Sequence, residues 1–231
     1  MTILRIEHRF RGPARSGNGG YTAGAFAQLV SPDPVEVVLR RPSPLETDLS
    51  VEDGTLSVDG VLVAEARPLD DGIDPVEPVS PDEAEAATTR YPGLLHHPFP
   101  SCFGCGPERT PGDGLRIFPG PVGDDRVAAT WTPDSSLPQS SGHVDAATTW
   151  AALDCVGGWS CDMEGRPAVL ETMAALLDSH PALGEPHVVV GRALRRDGRR
   201  THTASTLYDA EGRVVARARH VWVEVDPALF D

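Results

Sequence analysis

Two stretches of the sequence place a polar residue before a helix-like run, an arrangement that can polarise a carbonyl group. The first is SGNGGYTAGAFAQLV (16–30) and the second is SGHVDAATTWAALDC (141–155). Each begins with Ser-Gly and a polar residue, and each continues into a run rich in alanine, threonine and aromatics. Free N–H groups at the first turn of a helix attract an oxyanion. Only the second stretch ends with an acid, Asp154, before its final cysteine.

The second stretch also supplies the candidates for activating a water molecule. A partly desolvated carboxylate can accept a proton from water, and Asp154 lies in an apolar run next to Cys155. The alternative is that Asp154 is solvated or caps a helix. His143 can hydrogen-bond a substrate carbonyl or relay a proton, or it can simply be a neighbour of the helix cap. Asp145 is a third catalytic candidate, whose competing role is to stabilise the helix dipole by ~0.3–1 kcal/mol.

Residues from both parts of the chain are expected to contact a substrate. Small residues at the first helix start leave the backbone accessible, although the asparagine there is also a favoured helix cap. Glu171, in the stretch VLETM, can face the substrate or form an ion pair on a strand. GRALRRDGRR (191–200) holds five arginines, which can clamp phosphates or form a charged edge hairpin that discourages aggregation. The predicted contact residues are Asn18, Gly19, Gly20, Trp150, Glu171 and Arg199.

The pair Cys102 and Cys105 has a spacing that occurs in metal sites. A structural zinc site needs four ligands. His96 and His97 precede the pair, but adjacent histidines do not easily point at one ion, and no second cysteine pair has a matching spacing. We therefore predict a structural loop, with no metal and no cofactor. A redox role would want a parallel βαβ pattern around the pair, and the sequence shows none.

Composition limits the partners that the chain can have. With 20 basic and 34 acidic residues, the net charge of −14 argues against nucleic acid. All the basic residues are arginine, which excludes Schiff-base chemistry on lysine. No apolar run approaches the roughly 18 residues that span a bilayer, and the first residues lack the core of a signal peptide. We expect a cytoplasmic protein with reduced thiols and no membrane partner, as a monomer or a homo-oligomer.

The elements that must position these residues occur twice in the same order. In the second part, a strand at 125–133 precedes the helix, and 168–180 is ambiguous by periodicity, with a strand favoured at its start. In the segment 187–225, apolar and polar residues alternate as in three antiparallel strands. Turns at 197–198 and 209–212 separate these strands. The strand candidates of the first part are LRIEHRF, PVEVVLRR, LSVEDGTLSVDG and VLVAEARPL.

A middle segment rich in proline and acid divides the chain. Within it, Ser80 is positioned to cap a short helix that starts at Pro81. We predict an N-terminal unit at 1–69, a linker with one short helix at 70–100, and a C-terminal unit at 101–231. If each unit wraps an antiparallel sheet around one helix, the two sheets can join edge to edge, which removes two exposed edges.

Residues in both parts resemble the hotdog-fold thioesterases. The segment 181–225 is similar to their strand meander, and CFGCGPERTPGDGLRIF (102–118) resembles a segment of relatives of phenylacetate-pathway thioesterases. SGNGGYTAGAFA and WAALDC resemble the two central helices of the double-hotdog acyl-CoA thioesterase II group. The resemblance implies an α+β double hotdog, in which two tandem repeats each wrap a curved antiparallel β-sheet around a central helix.

The resemblance also implies a thioesterase, a hydrolase whose substrate is an acyl-CoA or acyl-carrier thioester. In the thioesterase II group an Asp late in the second helix, with a Thr and a Gln, orients a water molecule. Asp154 matches the Asp, the Thr falls near 169–172, and Arg219 stands at the Gln position. One alternative is a protein that binds acyl-CoA or a small apolar ligand without cleaving it. An enoyl-thioester hydratase or dehydratase ranks last, because its characteristic loop is absent from the sequence.

Overall fold

The first half of the chain folds as a strand, a helix and four further strands in the computed structural model, which describes residues 2–230. The Asp-Gly pairs at 53–54 and 59–60 have the positive φ angles that a tight hairpin turn needs. The elements are β1 (Thr2–Arg5), α1 (Gly19–Val30), β2 (Val35–Leu39), β3 (Asp48–Glu52), β4 (Thr55–Val58) and β5 (Val61–Pro68).

The middle segment contains one helix, and the second half repeats the order of the first. Ser80 accepts a hydrogen bond from the backbone N–H of Glu83, and Pro81 occupies the first turn, which confirms the predicted cap. The ambiguous stretch 168–180 is one strand from Ala168 to Leu177, because it has hydrogen-bonded neighbours on both sides. These elements are α2 (Pro81–Thr88), β6 (Gly120–Gly123), β7 (Arg126–Trp131), β8 (Gln139–Ser140), β9 (His143–Val144), α3 (Ala146–Trp159), β10 (Ala168–Leu177), β11 (His187–Asp197), β12 (Arg200–Tyr208) and β13 (Val214–Glu224).

The two halves share one continuous antiparallel sheet of eleven strands within residues 2–230. The strands lie in the order β1-β3-β4-β5-β2-β10-β13-β12-β11-β7-β6, while β8 and β9 form a separate ribbon. The order β1-β3-β4-β5-β2 of the first half matches the order β7-β11-β12-β13-β10 of the second half, in which β6 is an additional strand at the outer edge. The halves meet where Val38 of β2 faces Thr172 of β10. This junction pairs the inner edge of each half, so neither edge is exposed there.

The helices α1 and α3 pack against each other through small residues. A Cβ atom added at Gly24 would lie 2.7 Å from the Cβ of Trp150 and 3.0 Å from the Cα of Ala147. Every residue of α3 after Ala146 is buried, as expected for a helix that is apolar on all sides. No helix in residues 2–230 combines the length and the apolar character needed to cross a membrane.

The middle segment covers the opposite face of the second half of the sheet. In β11, Val189 belongs to the main core, whereas its neighbour Val190 points the other way and packs in a cluster with Val76. The backbone N–H of Val76 donates to Thr206 Oγ1 at 2.9 Å, and the Tyr208 hydroxyl donates to the Val76 carbonyl. The segment is therefore hydrogen-bonded to the sheet and is not a free linker.

The first strand is shorter than LRIEHRF predicts. It ends at Arg5, and His8–Phe10 form a single 3-10 turn. The physical reason is an aromatic contact, because the Phe10 ring stacks on Tyr21 of α1 with centroids 3.9 Å apart. Burying this ring against the helix draws the chain away from the sheet edge.

We expect Gly24→Ala to lower the free energy of unfolding by about 1–3 kcal/mol, because the added methyl group overpacks the crossing of α1 and α3. The atoms it meets are a Cβ and a backbone Cα, which cannot rotate away. Denaturant unfolding measures the change. Gly72→Ala is the matched control, because nothing lies within 4 Å of its Cβ position, and its effect should stay within about 0.5 kcal/mol. Equal stability of the two variants would contradict the close crossing.

Candidate functional site

A groove of about 270 Å³ lies between the N-terminus of α1 and the middle of α3. Both halves of the chain form its walls, together with the loop after β2 and the segment that carries the cysteine pair. Much of the wall is apolar, as in most sites for small molecules. Apolar side chains that line it include Leu39, Phe99, Met163, Leu170 and Trp222.

Asp154 lies in this groove and is only 1% exposed. Its Oδ2 accepts one hydrogen bond from the backbone N–H of Gly20 at 2.9 Å and another from Asn18 Nδ2 at 3.0 Å. Its Oδ1 is buried without a hydrogen-bond partner in the described part of the chain. One carboxylate oxygen thus fixes the side chain, and the other remains available for a water molecule or a ligand.

The environment of Asp154 favours its protonated form. Burial is the largest effect and raises the pKa of Asp154 from 3.8 to about 7. The hydrogen bond from Gly20 lowers this pKa, the charge of Cys102 raises it, and the hydrogen bond from Asn18 lowers it. A carboxyl group whose pKa is close to neutral can take up a proton and release it again during a reaction.

The N-terminus of α1 supplies the hydrogen-bond donors of the site. Asn18 caps the helix, since its Oδ1 accepts the N–H of Tyr21 at 2.8 Å, and this cap turns its Nδ2 towards Asp154. The N–H of Gly19 has no partner in residues 2–230, and Gly19 lines the groove. Gly19 therefore presents a free donor at the positive end of the helix dipole.

The crossing of the helices requires a glycine at position 20. A Cβ atom there would lie 2.4 Å from the Cβ of Asp154 and 2.9 Å from the carbonyl oxygen of Trp150. The structure thus brings Asn18, Gly19 and Gly20 together with Asp154. Trp150 belongs to the same crossing, where its side chain packs between the helices and is not among the groove-lining residues.

His143 and Asp145, two of the catalytic candidates, lie at the N-terminus of α3. Asp145 caps this helix, because its Oδ1 accepts the N–H of Thr148 at 2.8 Å. His143 is exposed in the β8–β9 ribbon, with Nδ1 3.1 Å from the carbonyl oxygen of Ser141. Neither residue is among those that line the groove.

The two helix starts are not equivalent in chemistry. Nine residues after the cap Asp145 comes Asp154, whereas nine residues after the cap Asn18 comes Ala27. The acid on α3 reaches the start of α1, but α1 carries no acid at the matching position. The carboxylate at the helix crossing therefore comes from the second stretch.

Glu171 and Arg199, the remaining predicted contact residues, are both held by partners. Glu171 lines the groove, and Arg200 donates to both of its carboxylate oxygens at 2.6 Å. The same arginine holds the pKa of Glu171 below its ordinary value. Arg199 lies outside the groove in an adjacent cavity, where its Nε donates to the backbone carbonyl of Glu224 at 3.2 Å.

A second cavity, of about 330 Å³, lies next to the groove. Ala168 and Trp222 line both spaces. Arg166 and Arg195 also line the second cavity, and neither side chain has an ion pair or hydrogen bond within residues 2–230. Four arginines and three acids line this cavity, so the lining carries one more positive than negative charge. The acids are Asp125, Asp162 and Glu224.

Three thiols that sequence reasoning did not connect also line the groove. Cys102, Cys105 and Cys155 come together there, although the last is far from the pair in sequence. One feature of the sequence indicates that Cys155 could lie in the groove. It follows Asp154 directly, on a helix that the resemblance implies is central to the fold.

No family model matches the sequence, and no curated protein matches it. Among solved structures, a thioesterase superfamily protein aligns at 23% identity and a TM-score of 0.44, over 48% of this chain and 54% of its own. The Escherichia coli PaaI protein from the phenylacetic acid degradation operon aligns at 12% identity and a TM-score of 0.45, over 48% of this chain and 81% of its own. A Streptococcus mutans protein bound to acetyl-CoA aligns at 15% identity and a TM-score of 0.43, over 46% of this chain and 86% of its own.

The first of these structures is described as a thioesterase superfamily protein. Each alignment involves about half of this chain, and the chain spans about half the length of the first of them.

We expect Asn18→Ala to lower the free energy of unfolding by about 1–3 kcal/mol, because it removes both the helix cap and a donor to a buried carboxylate. Asn18→Ser keeps an oxygen that can cap α1, so it should recover about 1 kcal/mol of that loss. Urea unfolding of both variants measures the difference. If the serine variant were as stable as the unmodified protein, the hydrogen bond to Asp154 would contribute nothing.

Proposed function

We propose that this chain is a thioesterase that hydrolyses an acyl-CoA or acyl-carrier thioester in the groove between α1 and α3. The observation that carries the proposal is the buried, unpartnered Oδ1 of Asp154 next to the N-terminus of α1. Thioester hydrolysis needs a group that activates water and a donor for the oxygen that gains charge. Asp154 and the free N–H of Gly19 are suited to these two roles.

We further propose that the architecture is a double hotdog. The repeats are residues 1–69 and 101–231, and residues 70–100 join them. The identical order of five strands in each half supports this assignment, as does the helix that each half places against the shared sheet.

In the proposed reaction, Asp154 Oδ1 accepts a proton from a water molecule while the water oxygen attacks the thioester carbonyl carbon. The carbonyl oxygen becomes an oxyanion that accepts a hydrogen bond from Gly19, and one such donor is worth about 3 kcal/mol in a dry site. The C–S bond then breaks, and the acyl group leaves as a carboxylic acid. The departing thiolate takes the proton that Asp154 holds, which restores the site.

The two neighbouring cavities suggest how the substrate lies. The apolar wall with Leu39 and Leu170 suits an acyl group. The phosphates of coenzyme A, or of a carrier's prosthetic group, suit the second cavity, where Arg166 and Arg195 have no ion-pair partner among the described residues. Ala168 and Trp222 line both cavities, so a ligand that occupied both would pass these two residues.

A second candidate function is binding of an acyl-CoA or a small apolar ligand without cleavage. The observation that favours it is the position of Leu170 over the helix start. A Cβ atom at Gly19 would lie 2.8 Å from the Cβ of Leu170. This side chain narrows the approach of a carbonyl group to the N–H of Gly19.

Asp154→Asn should reduce hydrolysis of the best acyl-CoA substrate by roughly 100- to 10,000-fold, because an amide cannot accept the proton from water. The fold should stay intact, since the amide oxygen can still accept the hydrogen bonds from Gly20 and Asn18. A hydrolysis assay over a panel of acyl-chain lengths, with circular dichroism of each variant, measures both effects.

Asp145→Asn is the matched control on the same helix, because asparagine also caps a helix. It should retain turnover. Loss of turnover in the Asp145 variant alone would move the catalytic site to the start of α3. Tight binding of a non-hydrolysable acyl-CoA, without hydrolysis of any chain length, would support the binding function instead.

Arg195→Gln should raise the KM for an acyl-CoA by about tenfold and leave kcat unchanged, because a charge-assisted hydrogen bond to phosphate is worth about 1.5–3 kcal/mol. Steady-state kinetics at low ionic strength measures the change. Arg192→Gln is the control, since Arg192 is exposed on the same strand but does not line the cavity. Equal KM values for the two variants would exclude this cavity as the phosphate site.

A further inference from the structure

Three buried thiols converge beside the groove. Cys102 and Cys105 lie in the loop that precedes β6, and Cys155 lies on α3. All three Sγ atoms lie within 4.8 Å of one another, and those of Cys102 and Cys155 are 3.6 Å apart. Three thiolates bound to one zinc ion at about 2.3 Å would lie about 3.8 Å apart. The thiols are therefore spaced nearly as a zinc ion would hold them.

The loop that carries the pair is shaped to reach α3. A Cβ atom at Gly104 would lie 2.6 Å from the Sγ of Cys155, so only a glycine allows this approach. The backbone N–H of Gly106 donates to the carbonyl of Cys102 at 2.9 Å and closes the turn. A Cβ atom at Gly106 would also collide with the backbone of Cys102.

Nitrogen donors surround the sulfur atoms. Asn18 Nδ2 lies 3.7 Å from the Sγ of Cys102 and 3.8 Å from that of Cys155. Trp159 Nε1 donates to the Sγ of Cys105 at 3.4 Å. Donors of this kind stabilise negative charge on sulfur and orient metal ligands.

His97 completes the surroundings as a donor and not as a ligand. Its Nδ1 accepts the backbone N–H of Phe99 at 2.9 Å, so a neutral ring carries its proton on Nε2. That Nε2 lies 3.3 Å from the Sγ of Cys105. A ring that donates from Nε2 has no lone pair there for a metal. The protein thus offers three sulfur ligands, and all three cysteines line the groove.

We propose that Cys102, Cys105 and Cys155 bind one zinc ion as three thiolates, with a fourth position open to the groove. Each thiol loses its proton to solvent when the ion binds. Sulfur ligands select zinc over magnesium or calcium, and an ion with three protein ligands keeps one position for water or a ligand. The expectation of a metal-free loop counted only residues near the pair, whereas the third ligand comes from α3.

The first test measures metal in the full-length protein, purified under reducing conditions, equilibrated with zinc chloride and desalted. We expect about one zinc ion per chain, and a sulfur-to-metal charge-transfer band when cobalt(II) replaces zinc. Cys102→Ser, Cys105→Ser and Cys155→Ser should each lose the metal and weaken the band. Cys161→Ser is the matched control, because Cys161 is the one cysteine outside the cluster, and it should retain both.

A second measurement on the unmodified protein covers the case in which the serine variants do not fold. Bound zinc should protect three of the four cysteines from a thiol reagent, and it should raise the Tm by mass action. Two results would overturn the proposal. These are the absence of retained zinc in the unmodified protein, or equal zinc content in the Cys102→Ser and Cys161→Ser variants. None of these readouts depends on thioester hydrolysis, so the two proposals fail independently.

Discussion

The rest of the site depends on the close crossing of α1 and α3. Because residue 20 has no side chain, the Asp154 carboxylate can lie against the backbone of α1 and accept its N–H. Both helices consist largely of small residues, and the continuous sheet encloses them. A longer side chain at the crossing would separate the acid from the helix end whose donors it meets. The small residues that allow the two helices to pack closely therefore also allow Asp154 to reach the N-terminus of α1.

Charge is unevenly distributed around this crossing. The groove itself has an apolar wall, a carboxyl group with a raised pKa, and three buried thiols. Two arginines without an ion-pair partner among the described residues, Arg166 and Arg195, line the neighbouring cavity, which shares Trp222 with the groove.

Much of the fold follows from local sequence signals, whereas the site does not. Asp-Gly turns and alternating strands locate the meander, because both signals act over a few residues. The contact between Asp154 and Gly20 joins residues 134 positions apart, and the contact between Cys102 and Cys155 spans 53. Neither can be inferred from spacing along the chain, because the first depends on how two helices cross and the second on how a loop packs against α3.

The positions of the three catalytic candidates also depend on the tertiary structure. His143 and Asp145 lie at the start of α3. The third candidate, Asp154, lies on the same helix but contacts the start of α1, where Asn18 donates to it. The sequence identifies these segments as helices, but only the three-dimensional structure shows which helix start each carboxylate contacts.

The unequal helices also break the symmetry between the two halves. Nine residues after its cap, α3 carries Asp154, whereas α1 carries Ala27 at the same distance from its own cap. The first half therefore supplies the helix start, and the second half supplies the carboxylate that contacts it. Neither half could be exchanged for a copy of the other without loss of this contact.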